Sequence, residues 1–273
     1  MAVLGAANSL PGAKVVPLAL DRAANMGAIT GAIDLTHLQS QLSLGAAMAC
    51  VQVANAEVGT RQPFAEALTA CRTAGVPLVA DATAVITHDQ LPTDFDVLVA
   101  PAKDWGGPPG VAIVVTSPQL RWRPEEAPDR GWIGGFPDIP AAVAAAVALE
   151  EAAPSWQIQA ESNRAMIDRV RSELLSMNLT CAGDPTARLP HVLTFCIEGA
   201  AGGALVTELD KRGIQVASGS ACTADTRMPS HVLEAMGMPN DSSIRISLPP
   251  DCSDATIDLF LAQLPEALAV VTA

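Results

Sequence analysis

Four short apolar runs between residues 47 and 115 constrain the fold most. Ala47 to Val53, Val76 to Ala80, Val97 to Ala100 and Val111 to Val115 each read as a short strand. None alternates cleanly between polar and apolar residues, and continuous runs of this kind suit a sheet covered on both faces. Pro63 to Thr73, between the first two, reads as a helix with proline at its first position and Gly75 at its stop. Strand, helix, strand in this order predicts an α/β fold with a mostly parallel sheet.

The rest of the chain changes texture. Residues 116–138, rich in Pro, Arg, Trp and Gly, read as a loop, Pro140 to Ala152 as an Ala-rich helix, and the stretch from Pro154 to about Met177 as a connecting helix. Beyond it, strands are expected at His191 to Cys196, Ile214 to Val216 and Ser243 to Leu248. Helices are expected at Ala204 to Arg212, at Pro229 to Met236, and from a Ser253 cap to about Leu268. That pattern predicts a small α+β domain over 161–273, after a larger domain over 1–160.

Composition excludes some functions. With 16 Lys and Arg against 29 Asp and Glu, the formal charge is −13, which argues against a nucleic-acid partner. The six cysteines form no CxxC pair, so neither a zinc ribbon nor a thioredoxin-type motif is expected, and no converging metal ligands stand out. Cys50 and Cys196 sit in apolar runs, where inert thiols are the rule, which fits a reducing, cytoplasmic setting. No basic segment precedes an apolar run at the N-terminus, and charges or prolines interrupt the long Ala-rich stretches, so neither a secretory signal nor a membrane span is expected.

One cysteine differs from the others. Cys222 lies in Ala217-Ser218-Gly219-Ser220-Ala221-Cys222-Thr223, a run of small residues that neither helix nor strand favours. A small, exposed loop is where a reactive thiol can move between donor and acceptor. Pro229-Ser230-His231-Val232-Leu233-Glu234-Ala235-Met236-Gly237 and Ser243-Ile244-Arg245-Ile246-Ser247-Leu248 follow it. In this order the three blocks closely resemble the C-terminal domain of the cysteine desulfurases. These are pyridoxal 5'-phosphate (PLP) enzymes of the class V aminotransferase family, with the fold-type I architecture.

The resemblance implies a set of roles. Cys222 would be the nucleophile that takes sulfur from L-cysteine as a persulfide, leaving alanine, and Arg245 would hold the substrate carboxylate in a bidentate grip. Upstream, Asn55-Ala56-Glu57-Val58-Gly59-Thr60-Arg61-Gln62-Pro63 is similar to the family's Asn-Asn-Glu-x-Gly-x-x-Gln-Pro block, which makes Asn55 a substrate-binding candidate. Asp81 resembles the aspartate that pairs with the PLP pyridine nitrogen, and Lys103, ahead of Gly106-Gly107-Pro108-Pro109-Gly110, the Schiff-base lysine. Both follow expected parallel strands, where α/β sheets bind ligands. A sulfur-acceptor protein and a homodimer or hetero-complex would be the partners.

The chain also departs from the family pattern. Ala56, Ala84, Ala100 and Ala102 stand where the family carries Asn, Gln, Ser and His near the cofactor. Ala2-Val3-Leu4 aligns just after the histidine that stacks on the PLP ring. The resemblance therefore implies a truncated large domain, with ring-stacking and phosphate-cradling segments supplied by another polypeptide or by sequence outside these 273 residues. Three readings stay open: an active desulfurase; a catalytically impaired relative serving as sulfur carrier or scaffold; and a class V aminotransferase or lyase of different chemistry. The retained Cys222, Arg245, Asp81 and Lys103 favour the first, the four alanines the second.

Overall fold

The computed structural model describes residues 2–22, 30–120, 138–218, 230–239 and 241–272. In chain order its first elements are helix α1 (Ala2–Ser9), helix α2 (Leu35–Ser43), strand β1 (Ala49–Gln52), helix α3 (Phe64–Thr73), and strands β2 (Leu78–Asp81) and β3 (Val97–Pro101). A 3-10 turn at Ala102–Trp105 leads to β4 (Ala112–Thr116), followed by α4 (Ile139–Ala152) and α5 (Trp156–Ser176). Then come β5 (Thr180–Ala182), β6 (Val192–Cys196), α6 (Gly202–Asp210), β7 (Ala217–Ser218), α7 (His231–Ala235), β8 (Ser243–Ser247) and α8 (Asp254–Thr272).

The chain forms two compact units. One, made of Gln39–Val53 and Pro63–Gln157, holds a sheet of order β1-β2-β3-β4. Its first three strands are parallel, and β4 turns back antiparallel on β3, so the sheet is mostly parallel, as the apolar runs predict. Pro63 sits at the N-cap of α3, one residue earlier than expected. Phe64, Ala67, Leu68 and Cys71 recur at helical spacing and form the buried side of α3.

The other unit, made of Met1–Leu38, Ala54–Gln62 and Ile158–Ala273, holds an antiparallel sheet of order β5-β6-β8-β7. Leu193 and Phe195 of β6 and Ile244 and Ile246 of β8 face a core shared with three helices. Met166, Ile167, Val170 and Leu174 come from α5, Leu205 and Leu209 from α6, and Ile257, Phe260 and Leu264 from α8. By length and composition α8 could cross a membrane, but its buried stripe makes it a helix of this core. The second strand expected in this region falls at Ala217–Ser218 instead of 214–216, because only those two residues pair with β8.

All five residues of β6 are buried, which one packed face cannot explain. Val192, Thr194 and Cys196 point away from the helices, and the segment 54–62 packs on that side. The Thr194 hydroxyl donates to the Glu57 carbonyl at 2.5 Å, and Leu189 N–H donates to Gly59 O at 2.8 Å. At Gly183, with φ +85, an added Cβ would lie 2.3 Å from Val58 O, so only glycine allows this close approach.

Candidate functional site

In the parallel-sheet unit, Asp81 ends β2 and Lys103 follows β3 by two residues. These strands are parallel neighbours, paired up to Asp81 and Val99, so both side chains leave the carboxyl edge of the sheet. That edge is where open α/β sheets bind ligands. The turn that begins at Asp81 is held by its own carboxylate, which accepts from Thr83 N–H at 3.0 Å.

The Lys103 side chain is 60% exposed, and its Nζ donates to Asp104 Oδ1 at 2.8 Å. An exposed pair of this kind holds its partners weakly, so the amine remains available to a carbonyl group. The second oxygen, Asp104 Oδ2, is buried and has no hydrogen-bond partner among the described residues. His88 is close enough to interact with Asp104; burial pushes its imidazole down from the ordinary value, and the Asp104 carboxylate pulls it partly back. Asp104 and His88 therefore belong to the surroundings of Lys103. For Asp104 the adjacent sequence was the only clue. For His88 there was none, because the path of residues 82–89 brings it there.

Ala100 and Ala102, on either side of Pro101, are almost completely buried. They can offer Lys103 no polar contact. The residues that remain still fit the ring end of PLP, since one sheet edge presents a carboxylate for a pyridine nitrogen and an amine for the carbonyl carbon.

In the antiparallel-sheet unit, Arg245 lies at the centre of β8, opposite Thr194 on one side and Ala217 on the other. Cross-strand partners share a sheet face, so Arg245 lies on the same face as the Thr194 hydroxyl that holds the 54–62 turn. Its Nε is buried without a hydrogen-bond partner among the described residues. A buried guanidinium nitrogen without an acceptor is costly, and an incoming carboxylate would satisfy it.

Asn55 is buried, and its Oδ1 accepts from Glu57 N–H at 2.9 Å and Val58 N–H at 3.0 Å. The carbonyl end thus shapes the turn, so a substrate contact would fall to the amide nitrogen. Thr194 was missed by the sequence reading. It is 137 positions from Glu57, and nothing local signals that contact.

Cys222 lies outside the described residues, as does the rest of 219–229. The residues that flank this stretch are described: Ser218 of β7 pairs with Ile244, beside Arg245 in β8, and the Ser230 hydroxyl caps α7 by accepting from Leu233 N–H at 3.2 Å. Leu233 and Met236 anchor α7 against Val58 and Ala182. Gly202, at the start of α6, is packed so tightly that an added Cβ would lie 2.6 Å from Ser243 O and 2.7 Å from Ser218 Oγ. Each of the five described free cysteines has its thiol pushed up, first by burial, and that of Cys196 reaches about 11.

The fold is that of the fold-type I, PLP-dependent enzymes, over part of their length. A solved NifS-like protein superposes with a TM-score of 0.84 at 24% identity, over 99% of this chain and 73% of the other. The NifS-like protein of Rickettsia africae gives 0.79 at 21%, over 98% and 72%. At sequence level, the Aminotransferase class-V profile matches residues 10–260, and the chain belongs to that family. It is 34% identical over 259 residues to an IscS-like cysteine desulfurase of Mycobacterium tuberculosis, covering 89% of this chain and 65% of that protein. It is 28% identical over 250 residues to the cysteine desulfurase NifS of Azotobacter vinelandii, covering 88% and 62%. The chain thus spans less than two thirds of the length of these curated relatives.

Proposed function

We propose that this chain carries the nucleophile and substrate-binding half of a PLP-dependent cysteine desulfurase. Lys103 and Asp81 would hold the cofactor, which when bound supplies an electron sink for the substrate carbon skeleton. Arg245 binds the carboxylate of L-cysteine and, with the Asn55 amide, orients it. The Cys222 thiolate takes the sulfur atom as a persulfide, leaving alanine, and passes it to an acceptor protein. The unit of Gln39–Val53 and Pro63–Gln157, within the large domain expected over 1–160, would hold the cofactor, and the domain expected over 161–273 would carry the nucleophile, in a soluble cytoplasmic protein. A homodimer, a hetero-complex or sequence outside these 273 residues completes the cofactor site.

The observation that carries this reading is the unpartnered, buried Nε of Arg245, on the strand beside the one that launches the Cys222 loop. Buried Ala100 and Ala102 favour a second reading, a sulfur carrier without its own cofactor. Titration with PLP separates the two. The desulfurase reading predicts a visible absorption band that the Lys103→Ala variant lacks. A protein that stays colourless with added PLP contradicts it for this chain alone.

A further inference from the structure

Arg245 is not alone in its unit in having a guanidinium nitrogen buried without a partner. Arg171 Nη1 and Arg188 Nη1 are also buried and have no hydrogen-bond partner among the described residues. Arg188 is only 5% exposed, and an arginine is almost never buried that deeply unless it is paired. Its Nη2 is paired, with Asp168 of α5, and its Nε donates to Pro185 O at 3.3 Å. Nη1 is left over, on a group whose burial makes an unused donor costly.

Arg164, Asp168 and Arg171 are spaced i, i+4, i+7, so they form one row along α5. Arg164 reaches over Arg188: its Nη1 and Nη2 both donate to Arg188 O at 3.4 Å, longer than usual for such bonds. Two positive side chains are thus brought together. The Arg188 guanidinium is held below its ordinary value, first by burial and then by the charge of Arg164. Burial raises the Cys181 thiol and Arg171 offsets part of that rise, so Arg171 lies near β5, the strand that leads into the 183–188 turn. Asp184 in that turn is already engaged, its Oδ1 accepting from Thr186 N–H and Ala187 N–H, both at 2.8 Å. Helix α5 packs on the sheet face opposite Arg245 and Thr194, so this cluster is separate from the candidate substrate site.

We propose that Arg164, Arg171 and Arg188 form an oxoanion site that takes a phosphate group, on the α5 side of the antiparallel-sheet unit. In a chain of formal charge −13, three arginines gathered on one row and the turn beside it are a local reversal of sign. Guanidinium forks match phosphate oxygens in geometry as well as charge. Asp168 neutralises one of the three charges, and the two that remain match the charge of about −1.5 to −2 that a phosphate group carries at neutral pH. A carboxylate carries half of that. Arg188 forms the floor of the site, and the half-buried Arg164 and Arg171 form its mouth. Because one unit carries all three arginines, the site depends neither on the cofactor edge near Lys103 nor on Cys222.

The test titrates the whole chain with inorganic phosphate at neutral pH and fixed ionic strength, and follows the arginine Nε–H signals by NMR. The Arg171 and Arg188 signals, assigned from their variants, are expected to shift together with a single saturating curve. Acetate should bind about tenfold more weakly. Arg171→Gln, whose half-buried position tolerates the change, should weaken phosphate about tenfold at an unchanged melting profile in chloride. Arg188→Lys, which keeps the charge and loses the fork, should weaken it too. Glycerol 3-phosphate separates two sources of the group: binding like that of phosphate means that the site takes the end of a phosphomonoester, and exclusion means that it takes the free anion. Either result supports the site. No shift of the Arg171 and Arg188 signals, acetate binding as tightly as phosphate, or phosphate affinity unchanged in Arg171→Gln would each overturn the proposal.

Discussion

Arg245 shows how a residue's neighbours sharpen a role that sequence only suggests. The resemblance gives it a carboxylate to hold; the register places it between Thr194 and Ala217, with a buried nitrogen that lacks an acceptor. A hydrogen bond to a charged group contributes about 1.5–3 kcal/mol. Arg245→Ala should therefore raise the KM for L-cysteine about tenfold or more, measured by alanine release, with a smaller change in kcat; an unchanged KM would remove Arg245 from the substrate site. His88 makes a prediction about pH. Burial lowers its pKa from 6.5, so the unfolded chain takes up a proton before the folded one does. Stability is then highest above about pH 6.5 and falls as the solution is acidified through that value. Melting temperatures of the wild type should drop more between pH 7.5 and 5.5 than those of His88→Gln, and equal drops would contradict the assignment. Lys103, Asp81 and Arg245 were legible as candidates because each sits inside a recognisable block. The Thr194–Glu57 bond was not, because it joins residues from distant parts of the chain.

At the scale of elements, periodicity located α3, α5, α6, β6 and β8 to within about two residues. The buried positions of the three helices follow the helical period, whereas all five residues of β6 are buried. β5 escaped because Thr180-Cys181-Ala182 is too short to show a period. The antiparallel course of β4 was not legible either, since an apolar run has no direction; the Gly106–Gly110 turn only later proves to reverse the chain. Helix α8 shows how packing decides between two readings of one composition. Its Leu264 is fully buried with Phe260 and Ile257 in the core of the antiparallel unit. Leu264→Ala should cost about 2–5 kcal/mol, read as a lower denaturant midpoint at unchanged slope. A change below about 0.5 kcal/mol, the range of surface substitutions, would mean that α8 does not pack in this core.

For the molecule as a whole, the candidate site residues fall in two units: Asp81 and Lys103 in one, Asn55, Arg245 and the residues flanking 219–229 in the other. Residues 54–62 belong with the antiparallel sheet although they lie in sequence between β1 and α3, an interleaving that no composition shift reveals. The central claim is that sulfur passes to Cys222. The other five cysteines have thiols pushed up by burial, so their thiolate fractions at neutral pH are low. The most direct test is peptide mass spectrometry after incubation with PLP and L-cysteine. The account predicts one added sulfur atom, on the peptide containing Cys222, and loss of both persulfide and sulfide release in Cys222→Ser. Added sulfur on another cysteine, or full sulfide release by Cys222→Ser, would contradict it.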